Sequence, residues 1–365
     1  MIHKGLKGVV CTETSISFID GQQGTLLFRG YPIDYLTRHH SFEEVAHLLW
    51  YGHLPTADEL TQITAKLRER RALPKHVKAI IEQLPAQLDV LSVLRTALSS
   101  CIAHNQEQPT IEDAITLTAM TPAIIAYQEA LHQRKITPTL PEIRNDLTHV
   151  EHYLYMLTGS LPEPSQVKAL ETYMILTMEH GLNASTFSAR VTASTEADMI
   201  SAICSALGTM KGPLHGGAPT GVLTLLDEAA AVDNARDYIY QKVQKGERLM
   251  GFGHRVYKVM DPRAEALKEQ LQQNNKDNSW LHFAMDLEAL AIEVLEEVKP
   301  GRSLYTNVEF YAAAIMRELG LASHLFTPTF SASRMVGWTA HVIEQRADNV
   351  IFRPRAEYIG PLYEV

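Results

Sequence analysis

The sequence predicts an almost entirely α-helical protein. Amphipathic runs with the period of a helix follow one another along most of the chain, and short loops containing proline or glycine separate them. The two-residue alternation of a β-strand occurs only near the N-terminus, at 8–19 and 25–29, around a turn at Asp20-Gly21. Strands do not alternate with helices along the chain, so the pattern does not support a parallel sheet.

The first predicted helix has clear boundaries in the sequence. Ser41 and Glu44 have the spacing of a capping box, an apolar run follows them, and Gly52 suits the helix end. The remaining runs predict helices, in order, at 56–71, 75–84, 89–103, 110–134, 140–158, 165–180, 195–208, 219–231, 234–245, 262–274, 278–297, 309–319 and 332–346. Segments of this kind along most of a chain are typical of an all-α fold.

Two breaks in the helical pattern predict two domains. The glycine-rich stretch 212–219 is the largest backbone interruption, and a helix-poor patch follows at 323–331. The segment between these breaks is consistent with a smaller domain inserted into a larger one. Glycines at such joins also suit hinges.

Composition excludes several classes of protein. Lys and Arg number 33 against 42 Asp and Glu, a net charge of −9, and no run of basic residues predicts a nucleic-acid-binding face. The most apolar stretch, 114–131, is too short and too polar to span a bilayer. Cys11, Cys101 and Cys204 lack the spacing of a disulfide framework or a cysteine zinc site. With no signal-peptide pattern at the start, we expect a cytoplasmic protein.

Two histidines lie in glycine-rich loops. His215 lies within GPLHGGA, where backbone N–H groups can approach a ligand closely, although a tight turn between helices explains the pattern equally well. His254 lies within GFGHRV, which is not a dinucleotide-binding fingerprint because no strand precedes it. Both loops are candidate parts of a site.

Several arginines occupy unusual positions. Asp261 and Pro262 suit the start of a helix, which places Arg263 in the first turn, where its charge opposes the helix dipole. Ser331 or Ser333 would place Arg334 in the same way, and Arg353-Pro354-Arg355 adds cations near the C-terminus. An anionic ligand explains such placement most simply, and several arginines suit a small substrate with more than one carboxylate.

Two further residues have simpler local interpretations. Glu309 follows Thr306 at the spacing of a capping box, and His180 lies in the predicted last turn of a helix, where a cation suits the dipole. Local pattern alone therefore favours a structural role for both.

Taken in order, the motifs resemble those of citrate synthase. They are EHGLNAST, GPLHGGA, MGFGHRVYK followed by DPR, NVEFY, SRMVGW and RPRAEYIGP, and the likeness runs from about residue 5 to 361. It implies an all-α fold with a large domain of 1–217 and 325–365 and a small domain of 218–324 that closes over the substrates. It also implies a homodimer without the extra N-terminal domain of longer members.

The resemblance assigns a role to each motif. It implies that oxaloacetate is bound by His180, Arg263, Arg334 and, across the dimer, Arg353. It implies that coenzyme A contacts Leu249, Met250, Gly251, Phe252 and Gly253, with Lys258 and Arg255 as candidates for its phosphates. The implied catalytic groups are His215, His254 and Glu309, which act on acetyl-CoA and oxaloacetate without a metal or other cofactor.

One residue departs from the family pattern. The base is ordinarily an aspartate in this motif, and the extra methylene of Glu309 displaces the carboxylate by about 1.5 Å. Displacement of that order can cost about 100-fold in rate, so we expect a functional but weakened citrate synthase. The alternatives are a 2-methylcitrate synthase that uses propionyl-CoA and an inactive protein that binds oxaloacetate or coenzyme A.

Overall fold

A computed structural model describes residues 2–105, 107–134, 141–216, 218–254, 256–274, 279–302 and 304–362. Within these ranges it confirms the all-α class. The α-helices are α1 Ile33–His39, α2 Phe42–Tyr51, α3 Ala57–Glu69, α4 Lys75–Gln83, α5 Val90–Ser99, α6 Ile111–Arg134, α7 His149–Thr158, α8 Pro164–Met178, α9 Ala184–Ser194, α10 Met199–Met210, α11 Ala218–Ala230, α12 Ala235–Gln244, α13 Pro262–Asn274, α14 Ser279–Val298, α15 Val308–Glu318 and α16 Phe326–Ala347. Short 3₁₀ turns occur at Lys4–Leu6 and Ser323–Leu325.

The strand prediction is correct only in part. Strands β1 (Ser17–Asp20), β2 (Thr25–Phe28) and β3 (Tyr31–Pro32) form one antiparallel sheet in that order. Asp20 pairs with Thr25, which confirms the turn between them. The strand predicted for 8–16 was wrong, because that segment has no regular secondary structure and most of its side chains are exposed.

Helix α2 begins and ends where the sequence predicts. The Ser41 side chain accepts a hydrogen bond from the Glu44 backbone N–H, and the Glu44 carboxylate accepts one from the Ser41 backbone N–H. Gly52 follows in the left-handed conformation with φ 87°, which glycine adopts without a steric cost. This turn leads directly into α3.

Other helix predictions were wrong at their ends or missed. Helices α1 and α9 were not predicted, and α7 begins at His149 rather than 140, with residues 135–140 outside the described ranges. Helix α10 begins at Met199 rather than 195. Helix α9 is rich in small polar residues, so its sequence carries a weak apolar stripe, and its contacts with α10 and α16 stabilise it instead.

Helix α16 lies at the centre of the larger body, the name used here for the helices outside 218–324. It contacts α2, α6, α8 and α9, and most of its side chains are buried, including Trp338. The predicted break at 323–331 was wrong for most of that stretch, because Pro328 lies in the first turn of α16. A proline is tolerated there, since the first N–H groups of a helix have no partner within it.

The segment 218–324 packs largely on itself. Its helices contact one another through the pairs α11 with α15, α12 with α14, and α13 with α15. Two of them, α13 and α15, also contact α8 of the larger body. The N-terminal ends of α13 and α15 carry candidate site residues, so these contacts bring them towards His180, which follows α8.

None of the helices in the described ranges combines the length and apolar character needed to cross a bilayer.

Candidate active site

The structure brings six of the predicted site residues close together: His180, His215, His254, Arg263, Glu309 and Arg334. Their charges act on one another: the pKa of His180 falls well below its ordinary value through burial, then through Arg263, His254 and Arg334. Arg334 also acts on His215, and both arginines act on Glu309. Catalytic and substrate-binding candidates predicted from separate motifs are therefore close neighbours.

Arg263 lies in the first turn of α13, as predicted, and is held by a buried carboxylate. Its Nε and Nη2 donate to the two oxygens of Asp261 at 3.0 and 2.8 Å. Burial alone would lower the pKa of Arg263, but Asp261 raises it above the ordinary value. Asp261 also accepts from the backbone of Arg263 and Val308, so it joins the starts of α13 and α15. The guanidinium group is thus fixed in place before any ligand binds.

Arg334 is a buried cation that forms no salt bridge with any described residue, although the carboxylates of Glu179 and Glu309 act on its charge. Its Nε donates to the carbonyl of Thr177 at 2.6 Å, and among the described residues its two Nη groups have no acceptor. Burial lowers its pKa to about 10. The predicted position was wrong: Arg334 lies in the middle of α16 rather than in its first turn, so the helix dipole does not explain it. A charge desolvated in this way is what a bound anion would compensate.

The protonation of His254 follows from its contacts. The backbone N–H groups of Val256 and Tyr257 both donate to Nδ1, each at 3.1 Å. Nδ1 must therefore carry the lone pair, and Nε2 the hydrogen. Nε2 lies 3.4 Å from Nη2 of Arg263, which is also a donor. Burial and the Arg263 cation lower the pKa of His254 to about 4, so the ring is neutral at pH 7.

His215 contacts a hydroxyl that the sequence analysis did not single out. Its Nε2 lies 2.8 Å from Oγ of Ser185, which also accepts from the indole N–H of Trp338 at 3.0 Å. The hydroxyl hydrogen of Ser185 can go to His215 or to Asn183, whose oxygen lies at 2.8 Å. Burial and Arg334 lower the pKa of His215 to about 4. The serine is within EHGLNAST, but nothing in that motif reveals a contact 30 residues away.

Glu309 is not a helix cap. The N-cap of α15 is Asn307, and the hydroxyl of Thr306 donates to Glu288 instead, so the capping-box interpretation was wrong. Oε2 of Glu309 is buried with no hydrogen-bond partner among the described residues. Burial raises the pKa of Glu309 to about 7, and the cations of Arg263 and Arg334 limit the rise. A carboxyl of this kind can exchange a proton near neutral pH.

His180 lies just beyond α8 rather than in its last turn. Helix α8 ends at Met178, and Glu179 leaves it in an extended conformation. Nε2 of His180 is 3.1 Å from the hydroxyl of Tyr257, and its ring meets that of His254 edge to face at 5.5 Å. The backbone turn, rather than the helix dipole, therefore directs His180 into the cleft.

The predicted coenzyme A loop is attached to the start of α15. Gly253 N–H donates to the carbonyl of Tyr305 at 2.7 Å, and Asn307 N–H donates to that of Gly251 at 2.9 Å. The side chains of Leu249 and Phe252 are buried, so a ligand would contact the backbone of this loop. Of the remaining candidates, Met250 in this loop is partly buried, Lys258 and Arg353 are exposed, and Arg255 is outside the described residues.

The N-terminal hairpin supports the loop that carries His254. The carbonyl of Gly21 accepts from Lys258 N–H at 2.8 Å, and a Cβ at Gly21 would overlap the carbonyl group of Val256. Since Val256 donates to His254, Gly21→Ala is expected to displace that ring and lower kcat by about 100-fold. Steady-state kinetics against Gly208→Ala, whose new Cβ meets only a side-chain end, checks this. An unchanged kcat in Gly21→Ala would contradict it.

Comparisons with known proteins agree on one family. A family model described as the C-terminal domain of citrate synthase matches residues 5–355. The citrate synthase of Deinococcus radiodurans is 38% identical over 362 residues, which cover 98% of this chain and 96% of that protein. The citrate/2-methylcitrate synthase of Bacillus subtilis is 37% identical, with 99% and 97% covered.

A solved structure shares the fold over the whole of this chain. It is the ternary complex of citrate synthase from Thermoplasma acidophilum with carboxymethyl coenzyme A and oxaloacetate. It matches with a TM-score of 0.87 and 29% identity, and the match covers 100% of this chain and 97% of that one. The chain therefore belongs to the citrate synthase family and is an acyltransferase that forms citrate.

Proposed function

We propose that this cleft condenses acetyl-CoA with oxaloacetate and hydrolyses the resulting citryl-CoA to citrate and coenzyme A. One observation carries the proposal. Nε2–H of His254 and the second hydrogen of Arg263 Nη2 face each other across 3.4 Å, and two donors cannot bond to each other. Both hydrogens need an oxygen acceptor, which a ketone or carboxylate of oxaloacetate would supply. The Thermoplasma acidophilum enzyme, of the same fold, was solved with oxaloacetate.

Oxaloacetate would lie among the cations. Arg263 and Arg334 would bind its carboxylates, and His180 would add a further hydrogen bond. The fourth contact is Arg353 of the partner subunit in a homodimer. Exposure of Arg353 within one chain supports this, as do the exposed apolar side chains of Ile359 and Leu362 nearby, which a partner would cover.

The condensation needs a base and two hydrogen-bond donors. Glu309 removes a proton from the acetyl methyl group, and the enolate oxygen accepts a hydrogen bond from His215. The enolate carbon then attacks the ketone carbon, whose oxygen accepts from His254 Nε2–H. The thioester α-hydrogen is too weakly acidic for a carboxylate unless the enolate is stabilised where it forms. Water then cleaves the thioester.

Ser185 would set the hydrogen position on His215. Oγ of Ser185 accepts from Trp338, and its own hydrogen would turn from Asn183 to His215 Nε2. Nδ1 then carries the ring hydrogen and can donate to the enolate oxygen. Ser185 acts in this proposal as a positioning residue that does not touch the substrate.

Beyond acetyl-CoA, oxaloacetate and water, this chemistry needs no metal or other cofactor. We propose that coenzyme A lies along 249–253, with Lys258 and Arg255 near its phosphates, and that 218–324 closes over the cleft. The location of site residues on both sides of that boundary supports closure: His180, His215 and Arg334 belong to the larger body.

We also propose a cytoplasmic location, which the three free cysteines support.

Activity should fall in mildly acidic solution. A base works only when deprotonated, and the pKa of Glu309 is raised to about 7, so protonation removes it as pH falls through that value. Bound oxaloacetate neutralises Arg263 and Arg334 and would raise that pKa further. We expect kcat/KM for acetyl-CoA at saturating oxaloacetate to show an acid limb with its midpoint near or above pH 7. A midpoint near 4, as for an ordinary glutamate, would contradict the assignment.

The choice of acyl group is tested by thiol release. With oxaloacetate, we expect kcat/KM for acetyl-CoA to exceed that for propionyl-CoA. One methylene in a pocket is worth only about 1–3 kcal/mol, so the ratio must be measured. The reverse preference would identify a 2-methylcitrate synthase, an activity that the name of the Bacillus subtilis relative includes.

A further inference from the structure

Two imidazoles and a carboxylate converge at the turn between α2 and α3. A ring nitrogen of His47, a ring nitrogen of His53 and a carboxylate oxygen of Glu59 all lie within 4.8 Å of one another. His47 belongs to the last turns of α2, His53 follows Gly52, and Glu59 lies in the first turn of α3. None of these residues has a role in the proposed reaction.

A backbone carbonyl faces Nδ1 of each histidine. Nδ1 of His47 lies 3.0 Å from the carbonyl oxygen of His53, and Nδ1 of His53 lies 3.4 Å from that of Tyr51. A carbonyl can only accept, so Nδ1 of His47 carries a hydrogen and its Nε2 carries a lone pair. His53 faces acceptors on both sides, because its Nε2 lies 3.3 Å from the carboxylate of Glu59. Without an ion this nitrogen donates to Glu59, and a bound metal would displace that hydrogen. Histidines that bind metals are oriented in the same way, by a backbone carbonyl on the other ring nitrogen.

Glu59 is oriented by the cap of α3. Its Oε2 accepts from the backbone and hydroxyl of Thr56 at 2.8 and 2.9 Å. Oε1 is left to face Nε2 of His53 at 3.3 Å. Zinc with ligands at about 2.0–2.1 Å in a tetrahedron separates those ligands by about 3.3 Å. The distance between these two atoms is therefore already that of two zinc ligands.

The ring of His47 is also held in place. It stacks on Tyr51 with the ring centres 4.3 Å apart, and it meets His53 edge to face at 5.1 Å. Its side chain is buried, whereas His53 and Glu59 are open to solvent, so an ion can enter from that side. Binding an ion would therefore cost these three side chains little conformational entropy.

We propose that Nε2 of His47, Nε2 of His53 and Oε1 of Glu59 bind a zinc ion, with water as the fourth ligand. Two imidazoles and one carboxylate are a donor set that zinc favours over magnesium, which prefers oxygen ligands. The ion would join the end of α2 to the start of α3 across the Gly52 turn. The predicted absence of a cysteine zinc site is compatible with this, because no thiol takes part.

Zinc titration of the chelator-treated, full-length protein tests the proposal. Calorimetry should give one tight zinc site per chain, and zinc should raise Tm whereas Mg²⁺ should not. The double variant His53→Gln, Glu59→Gln should bind zinc at least tenfold more weakly. Both positions are solvent-exposed, and glutamine at 59 still completes the capping box, so the variant should fold.

An exposed histidine elsewhere provides the control. His76→Gln removes a ring whose Nε2 contacts only the carbonyl of Ser100 among the described residues, and it should leave zinc binding unchanged. Equal zinc affinity in wild type and the double variant would overturn the proposal, as would the absence of any zinc-dependent rise in Tm. Neither measurement depends on catalysis, so the result is independent of the proposed active site.

Discussion

Glu309→Gln is expected to lower kcat by about 100- to 10,000-fold, the usual contribution of a general base. Glutamine has nearly the same shape but cannot accept the methyl proton. Binding of oxaloacetate should change little, because the residues proposed to hold it are Arg263, Arg334 and His180. Thiol release gives kcat, and calorimetry with oxaloacetate alone gives the binding constant. A Glu309→Gln protein that retains more than a tenth of wild-type kcat would exclude Glu309 as the base.

Glu309→Asp keeps a carboxylate as the base but changes its position. If the extra methylene misplaces the carboxylate, aspartate should raise kcat above that of wild type. The buried, unpartnered Oε2 of Glu309 shows that no hydrogen bond to the described residues fixes the present position. Either no gain or a loss in this variant would reject the view that base position limits the rate.

Arg334→Met is expected to raise KM for oxaloacetate by about 100-fold or more. Hydrogen bonds to charged groups contribute about 1.5–3 kcal/mol each, and the two free Nη groups are placed to make two of them. The fold should tolerate the change, because replacing a buried unpaired charge by an apolar side chain of similar size removes a desolvation cost. Kinetics and a thermal melt measure the two effects.

Arg263→Met is the matched comparison. It should raise KM as well, but it also leaves the buried carboxylate of Asp261 without its partner. Breaking such a pair costs about 3–5 kcal/mol, so Tm should fall much further than in Arg334→Met. Equal losses of Tm in the two variants would contradict the view that its pairing with Asp261 makes Arg263 contribute more to stability than Arg334 does.

The fold class was predictable because amphipathic periodicity is a local signal. Ser41, Glu44 and Gly52 define both ends of α2 in the sequence and in the structure. Helix α9 was missed because its stability comes from packing against α10 and α16 rather than from its own pattern. Pro328 was misplaced for a related reason, because a proline in the first turn of a helix and a proline in a loop look the same in the sequence.

The candidate site residues came from motifs, but their contacts in the fold did not. The carboxylate of Glu309 looks like a cap in the sequence, and only the fold shows that Asn307 caps α15 instead. The contact of His215 with Ser185 and the pairing of donors at His254 and Arg263 arise where loops that carry the histidines fold against α9 and α13. Sequence spacing carries no information about such contacts.

The most direct test of a working glutamate base is the product balance of the purified wild-type protein. Acetyl-CoA and oxaloacetate are supplied together, and citrate and free coenzyme A are quantified over time. We predict equal amounts of both products, formed over many turnovers and without added metal or other cofactor. Heat of oxaloacetate binding without release of coenzyme A would contradict this account and would identify an inactive binding protein.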